Sequence, residues 1–426
     1  MTLAIQAVLF NHDPGDTRTG ALNVRRSFLQ SATLPEWQAG VNRTAADSIA
    51  AYVLDAVDEG ALSIHASFAS TGAGQEVEVR ALELQTAFPA AFYLALLPSW
   101  LRFGPAAISF LSASYRAWLD WLLLGGNVLG EVVSRSVTIP AGGTTALLPF
   151  RLRNVRLRAR GAGVSTVVWR WQYRTAAGLP WRDAGMTAHT ICSIVSAPTA
   201  PWRADALTID NTNLPWTDAL LFACRWASGA RTKNEAAKAV TESVFRLGTP
   251  AGASLFEYGC PIGAPAMYAF PFFNLSAFLD RLRFGPGNGR YVNCTDCAAF
   301  VATLANLLGA DLWESRMGEF IPFFRCNPFL SIGGRRFEEP CGNPVGFSYH
   351  EVAWAGDCEA GDPVWDACLA FSGLTTVPPP GTIPRLAANM TFGVPGSGQY
   401  RDWIAAPGSR TICRPRPDQR VRRQFF

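Results

Sequence analysis

Apolar residues recur at every second position in several short runs before residue 200, which is the pattern of strands with one buried face. In the clearest run, the apolar residues at alternate positions are Val167, Trp169, Trp171 and Tyr173. Glycine pairs such as Gly142–Gly143 mark turns between the runs. The pattern predicts a β-rich, sandwich-like module over residues 1–200.

One stretch of this module has a different pattern. Leu84–Leu101 is a run of 18 residues without charge, which is near the length that spans a bilayer. Pro89 and Pro98 interrupt the run. We therefore expect a helical insertion of buried helices near 87–124, and contact of the 84–124 segment with a membrane is the alternative.

The period becomes helical after the proline-rich stretch Ala197–Pro201, which we interpret as a linker. Thr232 and Glu235 have the spacing of a capping box, and apolar residues then recur at helical spacing up to Gly248. The sequence therefore predicts an α+β protein, in which a β-rich module precedes a mixed domain over residues 203–380.

The composition is that of packed globular domains. Of the 426 residues, 49% are apolar and 16% are charged, and the formal net charge is only +4. This modest charge gives no reason to expect a nucleic-acid partner. Arginines and prolines accumulate near the end of the chain, so we expect residues 381–426 to form an extended, basic arm.

The first residues lack the basic and long apolar regions of a secretory signal. We therefore expect a cytoplasmic protein, with export by a signal-independent route as the alternative. Ten cysteines in a chain of this length do not form the framework of a small disulfide-rich protein, so we expect most of them to be reduced. Reduced thiols are available for chemistry.

Cys294 lies where a glycine-rich loop (Gly285–Gly289) leads into a helical pattern that Gly309 ends. A thiol at a helix N-terminus faces unpaired N–H groups and the positive end of the helix dipole, and both favour the thiolate. The same N–H groups can stabilise the oxyanion of a tetrahedral intermediate. The position predicts that Cys294 is a nucleophile.

His350 begins a strand pattern, and Asp366 lies in the next one after a turn rich in glycine and aspartate. A hairpin centred on Cys358 places His350 opposite Asp366 and Val352 opposite Val364. Side chains that face each other in this way have Cβ atoms about 4.5–5.5 Å apart. The carboxylate can then orient the imidazole, which leaves the other ring nitrogen for the thiol.

These residues together resemble the transglutaminase-like superfamily of cysteine peptidases and acyltransferases, whose fold is papain-like. The motif that starts the family's nucleophile helix is matched by Cys294, Asp296 and Ala298, and its Leu-Gly end is matched by Leu308–Gly309. The positions of the family's His, Asp and upstream Tyr are matched by His350, Trp365–Asp366 and Tyr258. The resemblance covers residues 205–375.

The resemblance implies an α+β catalytic domain with the triad Cys294, His350 and Asp366, in which an antiparallel sheet carries the His and the Asp. It implies peptide or isopeptide hydrolysis through a thioester, or deamidation or transamidation, with a protein or peptide as substrate. Two positions depart from the family pattern: Asn293 precedes the nucleophile and Ala367 follows the aspartate. No calcium site is legible, and we assign no cofactor.

Other functions are compatible with parts of this pattern. The Cys294-x-x-Cys297 spacing at a helix start also suits a thiol–disulfide oxidoreductase. The chain is also compatible with a binding protein that uses the transglutaminase-like fold as a scaffold without catalysis. A zinc site is a further alternative. Its candidate ligands are Cys260, Cys294, Cys297, Cys326, Cys341 and Cys358.

Overall fold

The structure is a computed structural model that describes residues 1–13, 16–42, 44–84, 127–202, 213–259, 266–337 and 346–426. The insertion predicted at 87–124 lies outside the described residues, as do Cys260 and Cys341. The chain divides into two compact units. The first consists of Met1–Ala197 and Arg203–Arg231, and the second of Pro198–Trp202 and Thr232–Phe426.

In the described part of the first unit, nine strands form one continuous hydrogen-bonded sheet, in the order β2-β1-β4-β7-β6-β5-β8-β9-β3. The strands are β1 (Leu3–Leu9), β2 (Trp37–Gln38), β3 (Ile49–Val53), β4 (Ser63–Ser70), β5 (Gln75–Glu83), β6 (Glu131–Ile139), β7 (Leu148–Arg153), β8 (Gly163–Arg174) and β9 (Arg182–Ile194). Neighbours are antiparallel except for β3 and β9, which are parallel. The sequence predicts a sandwich of two sheets, whereas these strands join in a single curled sheet.

The curl brings distant strands of this sheet into one core. Phe10 follows β1, yet its ring lies 5.8 Å from the ring of Trp169 on β8 and 4.8 Å from that of His189 on β9. Four strands separate β1 from β8 in the sheet order. The alternation predicted over 167–173 is confirmed by β8, whose two tryptophans are fully buried. The inward-facing residues of this single curled sheet therefore pack against one another and form one core.

Helix α1 (Leu157–Arg160) and helix α2 (Thr217–Trp226) also belong to the first unit. Backbone hydrogen bonds at the start of α2 explain why this helix belongs to the first unit. Thr217 donates to the carbonyl of Arg25 over 2.7 Å, and Arg25 donates to the carbonyl of Pro215 over 2.8 Å. The boundary between the units therefore follows α2, whereas the sequence predicts a new domain from residue 203.

The second unit combines helices with an antiparallel sheet in the order β13-β15-β14-β12-β17, and β16 also pairs with β15. Its helices are α3 (Lys233–Arg246), α4 (Leu275–Leu282), α5 (Cys294–Leu307) and α6 (Tyr400–Ile404). The strands are β10 (Glu257–Tyr258), β11 (Tyr291–Val292), β12 (Trp313–Met317), β13 (Phe329–Ser331), β14 (His350–Trp354), β15 (Pro363–Phe371), β16 (Arg385–Thr391) and β17 (Pro415–Val421). The architecture is thus α+β. Among the helices of the described ranges, none combines the length and apolar character needed to cross a bilayer.

The segment 381–426, predicted to be an extended arm, is instead folded into the second unit as β16, α6 and β17. Pro415 and Pro417 are tolerated in β17 because it is the edge strand of the sheet, where missing N–H groups cost no ladder bonds. The arginines find acidic partners, such as Asp311, which pairs with Arg422 over 2.6 Å. The basic, proline-rich composition of this segment therefore does not distinguish an edge strand from an extended arm.

Trp202 provides a test of packing in the second unit. Its indole Nε1 donates to the carbonyl of Thr303 over 2.7 Å, and its ring lies 4.1 Å from that of Phe425. We expect Trp202→Phe to lower the free energy of unfolding by about 1–2 kcal/mol, because the carbonyl loses its donor. Trp202→Ala should cost about 3–5 kcal/mol, because it also leaves a cavity.

Urea unfolding of the full chain would measure both losses. Trp226→Phe is the control, since this tryptophan is half-buried in the first unit. Equal losses for Trp202→Phe and Trp226→Phe would contradict a packing role for Trp202.

Candidate active site

The start of α5 is fixed by a capping box, and the helix begins at Cys294 as predicted. The Asn293 side chain accepts a hydrogen bond from the Asp296 amide over 3.2 Å, and the Asp296 carboxylate accepts one from the Asn293 amide over 3.0 Å. The side chain of Cys294 therefore stands in the first turn, next to N–H groups that have no partner within the helix. Cys294 is 6% exposed.

Asp296 also ties a second segment to this helix start. Its carboxylate accepts backbone N–H groups of Met267, Tyr268 and Ala269 over 3.1, 2.8 and 3.0 Å. Burial raises the pKa of Asp296 to about 6, and the backbone hydrogen bonds oppose that shift because they favour the carboxylate. The aspartate of the Cys-x-Asp-x-Ala pattern thus holds the loop before α4 against the start of α5.

His350 and Asp366 meet as predicted, but through a different register. Nε2 of His350 lies 3.0 Å from Oδ2 of Asp366, and both side chains are buried. In the hairpin, Val364 faces Trp354 rather than Val352, so the predicted register is wrong. The slip is of two residues, which keeps every side chain on its face of the sheet, and His350 and Asp366 become diagonal neighbours.

The turn explains the slip. The carboxylate of Asp362 accepts the backbone N–H groups of Asp357 and Glu359 over 3.1 and 3.0 Å. Cys358, between them, has a φ of 62°. This side-chain-capped turn sets the strand offset, and a hairpin folded symmetrically about Cys358 does not include it.

Four donors surround the carboxylate of Asp366. Besides the imidazole, Oδ2 accepts the hydroxyl of Tyr400 over 2.8 Å, and Oδ1 accepts the backbone N–H groups of Cys368 and Leu369 over 2.8 and 3.1 Å. Burial raises the pKa of Tyr400 well above its usual range, and the carboxylate raises it further, so the phenol remains a donor. Tyr400 lies in the segment predicted to be an arm, and no motif in the sequence marks it.

The imidazole of His350 is biased towards its charged form. Burial lowers the pKa of His350, but the charge and hydrogen bond of Asp366 and the adjacent Cys294 outweigh that effect and raise it to about 10. Nδ1, the ring nitrogen not used by Asp366, has no hydrogen bond of normal geometry within the described residues. The imidazole beside Cys294 is therefore held in the form that can donate a proton from Nδ1.

Two tyrosines border the same thiol. Burial raises the pKa of Tyr258 well above its usual range, and the nearby thiols raise it further, Cys294 the most. Burial also raises the pKa of Tyr349; a charge on Cys294 raises it further, whereas a hydrogen bond with Thr295 lowers it. Tyr258 matches the upstream tyrosine noted in the sequence, while Tyr349 carries no sequence signal beyond preceding His350.

Cys297 lies one turn further along α5 and is 1% exposed. Burial raises its pKa, and a hydrogen bond with Cys368 opposes that shift. Cys294 and Cys297 are both free thiols. Within the described residues, no group of three or more His, Cys, Asp or Glu side chains is placed to hold a metal ion.

A buried ionic network adjoins the site. The carboxylate of Glu351 accepts the hydroxyl of Thr295 and Nε of Arg316, both over 3.0 Å, and it also pairs with Arg423. Arg423 pairs in addition with Glu314. Burial raises the pKa of Glu351, but the two arginines outweigh that effect and lower it. The network joins Thr295, the residue after Cys294, to a strand and to the C-terminal segment, and sequence reasoning missed it.

No protein-family model matches the sequence, and no curated protein is significantly similar to it.

Removing Arg423 tests the ionic network. Arg423→Met leaves Glu314 and Glu351 buried without their shared guanidinium, so we expect the free energy of unfolding to fall by about 3–5 kcal/mol. Arg420→Gln removes an exposed ion pair with Asp357 and should cost much less, because solvent screens such pairs. Chemical denaturation compares the two variants, and similar losses would show that the network contributes little.

The raised pKa of His350 predicts a pH dependence of stability. The folded state keeps a proton that the unfolded state releases above its ordinary pKa of 6.5. The stabilisation is therefore complete below pH 6.5 and is lost as the pH rises towards about 10. Asp366→Asn removes the main cause of the raised pKa, so the stability difference between wild type and variant should shrink over this range. Denaturant midpoints measured between pH 6 and 10 would show it; a constant difference would contradict the assignment.

Proposed function

We propose that the second unit is a cysteine-nucleophile enzyme that acts on amide bonds through a thioester intermediate. Cys294 is the nucleophile, His350 the proton acceptor and donor, and Asp366 the residue that orients the imidazole. The observation that carries the proposal is the fully paired Asp366 carboxylate bound to the buried His350, whose charged form is favoured next to Cys294.

The chemistry follows from these positions. The thiolate of Cys294 attacks the amide carbon, a C–S bond forms, and the carbonyl electron pair moves to oxygen. The N–H groups at the start of α5 can stabilise that oxyanion. His350 then gives its proton to the amine nitrogen, the C–N bond breaks, and a thioester remains. Water or a second amine, deprotonated by His350, attacks the thioester and restores the thiol.

The order of elements supports membership of the transglutaminase-like superfamily. A helix that begins at the cysteine precedes two antiparallel strands, the first of which carries the histidine and the second the aspartate. Under this proposal, peptide or isopeptide hydrolysis is the first expectation, and deamidation or transamidation is the second. Thiol–disulfide exchange through Cys297 is disfavoured by the burial of that thiol and its raised pKa.

Alkylation with iodoacetamide tests the nucleophile without a known substrate. At pH 7 we expect Cys294 to react at least about tenfold faster than any other cysteine of the chain, because only a thiolate attacks. Peptide mapping after brief labelling would locate the adduct. Asp366→Asn should slow the reaction, because the imidazole loses the carboxylate that stabilises its positive charge.

Cys294→Ser and Cys297→Ser are a matched pair of controls on one helix. The first should abolish the fast reaction and the second should preserve it. Preferential labelling of Cys297 would overturn the nucleophile assignment and favour thiol–disulfide chemistry. A protein without any fast thiol would favour a binding protein on the same scaffold.

A further inference from the structure

Two arginines face each other on neighbouring strands of the second unit. In the register of β12 with β17, Arg316 lies directly opposite Arg416. On the other side of β12, Arg316 lies opposite Glu351. Like charges directly opposite each other destabilise a sheet, so this pair needs compensation or a ligand.

These arginines line a cleft of about 240 Å³. Its lining consists of Arg316, Gly318, Phe320, Tyr349, Arg416 and Gln419. Aromatic rings form one wall, since the rings of Phe320 and Tyr349 are 5.9 Å apart. The volume is below that of pockets for drug-sized ligands and suits a single side chain or chain terminus.

The two guanidinium groups are held differently. Arg316 donates from Nε to the buried Glu351, and its guanidinium carbon lies 4.3 Å from the ring centre of Tyr349. Within the described residues, its remaining amino groups form no hydrogen bond. Arg316 is therefore fixed in place while part of its donor set is unused, which is the condition for a preorganised carboxylate site.

Arg416 is paired only at the surface. It donates from Nε and Nη2 to Asp418, over 3.0 and 2.9 Å, and the Asp418 side chain is 57% exposed. Exposed ion pairs contribute little, so the carboxylate of a ligand can replace that of Asp418 at small cost. The Asp418 carboxylate thus occupies the position on Arg416 that the carboxylate of a ligand would take.

The cleft borders the proposed catalytic residues. Burial raises the pKa of Tyr349, in the wall of the cleft, and a charge on Cys294 raises it further, because this tyrosine lies near the thiol. The hydroxyl of Thr295, next to Cys294, bonds to the same Glu351 that holds Arg316. A group in the cleft is therefore close to an amide bond held at Cys294.

We propose that the cleft binds a carboxylate of the substrate beside the amide bond to be attacked, so that the enzyme prefers acidic peptides. The inference rests on the proposed function, which supplies the reacting thiol. Arg316 and Arg416 bind the carboxylate, Gln419 adds a polar contact, and the aromatic wall packs against the aliphatic part of the residue.

Thiol-directed probes test this preference without a known substrate. N-iodoacetyl-Asp-amide carries a side-chain carboxylate, N-iodoacetyl-Asn carries a terminal one, and N-iodoacetyl-Asn-amide is uncharged. We expect one of the acidic probes to alkylate Cys294 faster than the uncharged probe by roughly two- to fivefold, and the faster one identifies the source of the carboxylate. Added salt should reduce this ratio, because screening weakens the attraction.

Three single substitutions on or beside β17 sharpen the test. Arg416→Gln should reduce the ratio of acidic to uncharged rates towards one, whereas Asp418→Asn should increase it, because it frees Arg416. Arg420→Gln, the matched control, removes a positive charge from the same strand at a residue outside the cleft lining and should leave the ratio unchanged. An equal fall of this ratio for Arg416→Gln and Arg420→Gln would show that the preference depends only on the total charge of the strand. That result would overturn the cleft assignment.

The probes separate this inference from the function on which it rests. Rapid labelling of Cys294 at equal rates by all three probes would retain the nucleophile and overturn the acidic cleft. Slow labelling of Cys294 by all three, including the uncharged probe, would overturn both.

Discussion

Buried carboxylates are the constraint on which the second unit depends. A carboxylate is tolerated in an apolar interior only when donors or cations match its oxygens. Asp296, Glu351 and Asp366 are all buried around the start of α5, and each accepts several hydrogen bonds from other parts of the chain. Meeting that demand fixes the helix start, the strand that carries His350 and the strand that carries Asp366 relative to one another.

The partners of these carboxylates differ in kind, and the difference assigns their roles. Within the described ranges, the partners of Asp296 are backbone N–H groups, so it acts as a structural cap that organises a loop. Glu351 pairs with two arginines, which keep it charged. Asp366 alone contacts an imidazole, and its other bonds leave it no freedom to turn away. The carboxylate that contacts the imidazole is therefore held in a fixed orientation.

Local patterns in the sequence identified much of this arrangement. The capping box at Thr232, the helix start at Cys294 and the alternation in β8 all depend on neighbouring residues, and all three are confirmed. The predicted register of the hairpin is wrong, yet the predicted contact between His350 and Asp366 is present. A slip of two residues keeps each side chain on the same face of the sheet, so the two side chains still meet.

Features that depend on distant parts of the chain could not be read in this way. The curl of the nine-stranded sheet, the membership of α2 in the first unit and the edge strand β17 follow from long-range pairing. Tyr400 and Arg423 were missed for the same reason, since arginine and proline content masked their segment.

The position of Tyr400 and Arg423 along the chain has a consequence for biosynthesis. Translation proceeds from the N-terminus, so Cys294, His350 and Asp366 leave the ribosome before these two partners do. Until the later residues arrive, Asp366 lacks the Tyr400 hydroxyl and Glu351 lacks the Arg423 guanidinium, so the burial of both carboxylates is less favourable. The proposed site around Cys294 is therefore completed only after the C-terminal segment has been made.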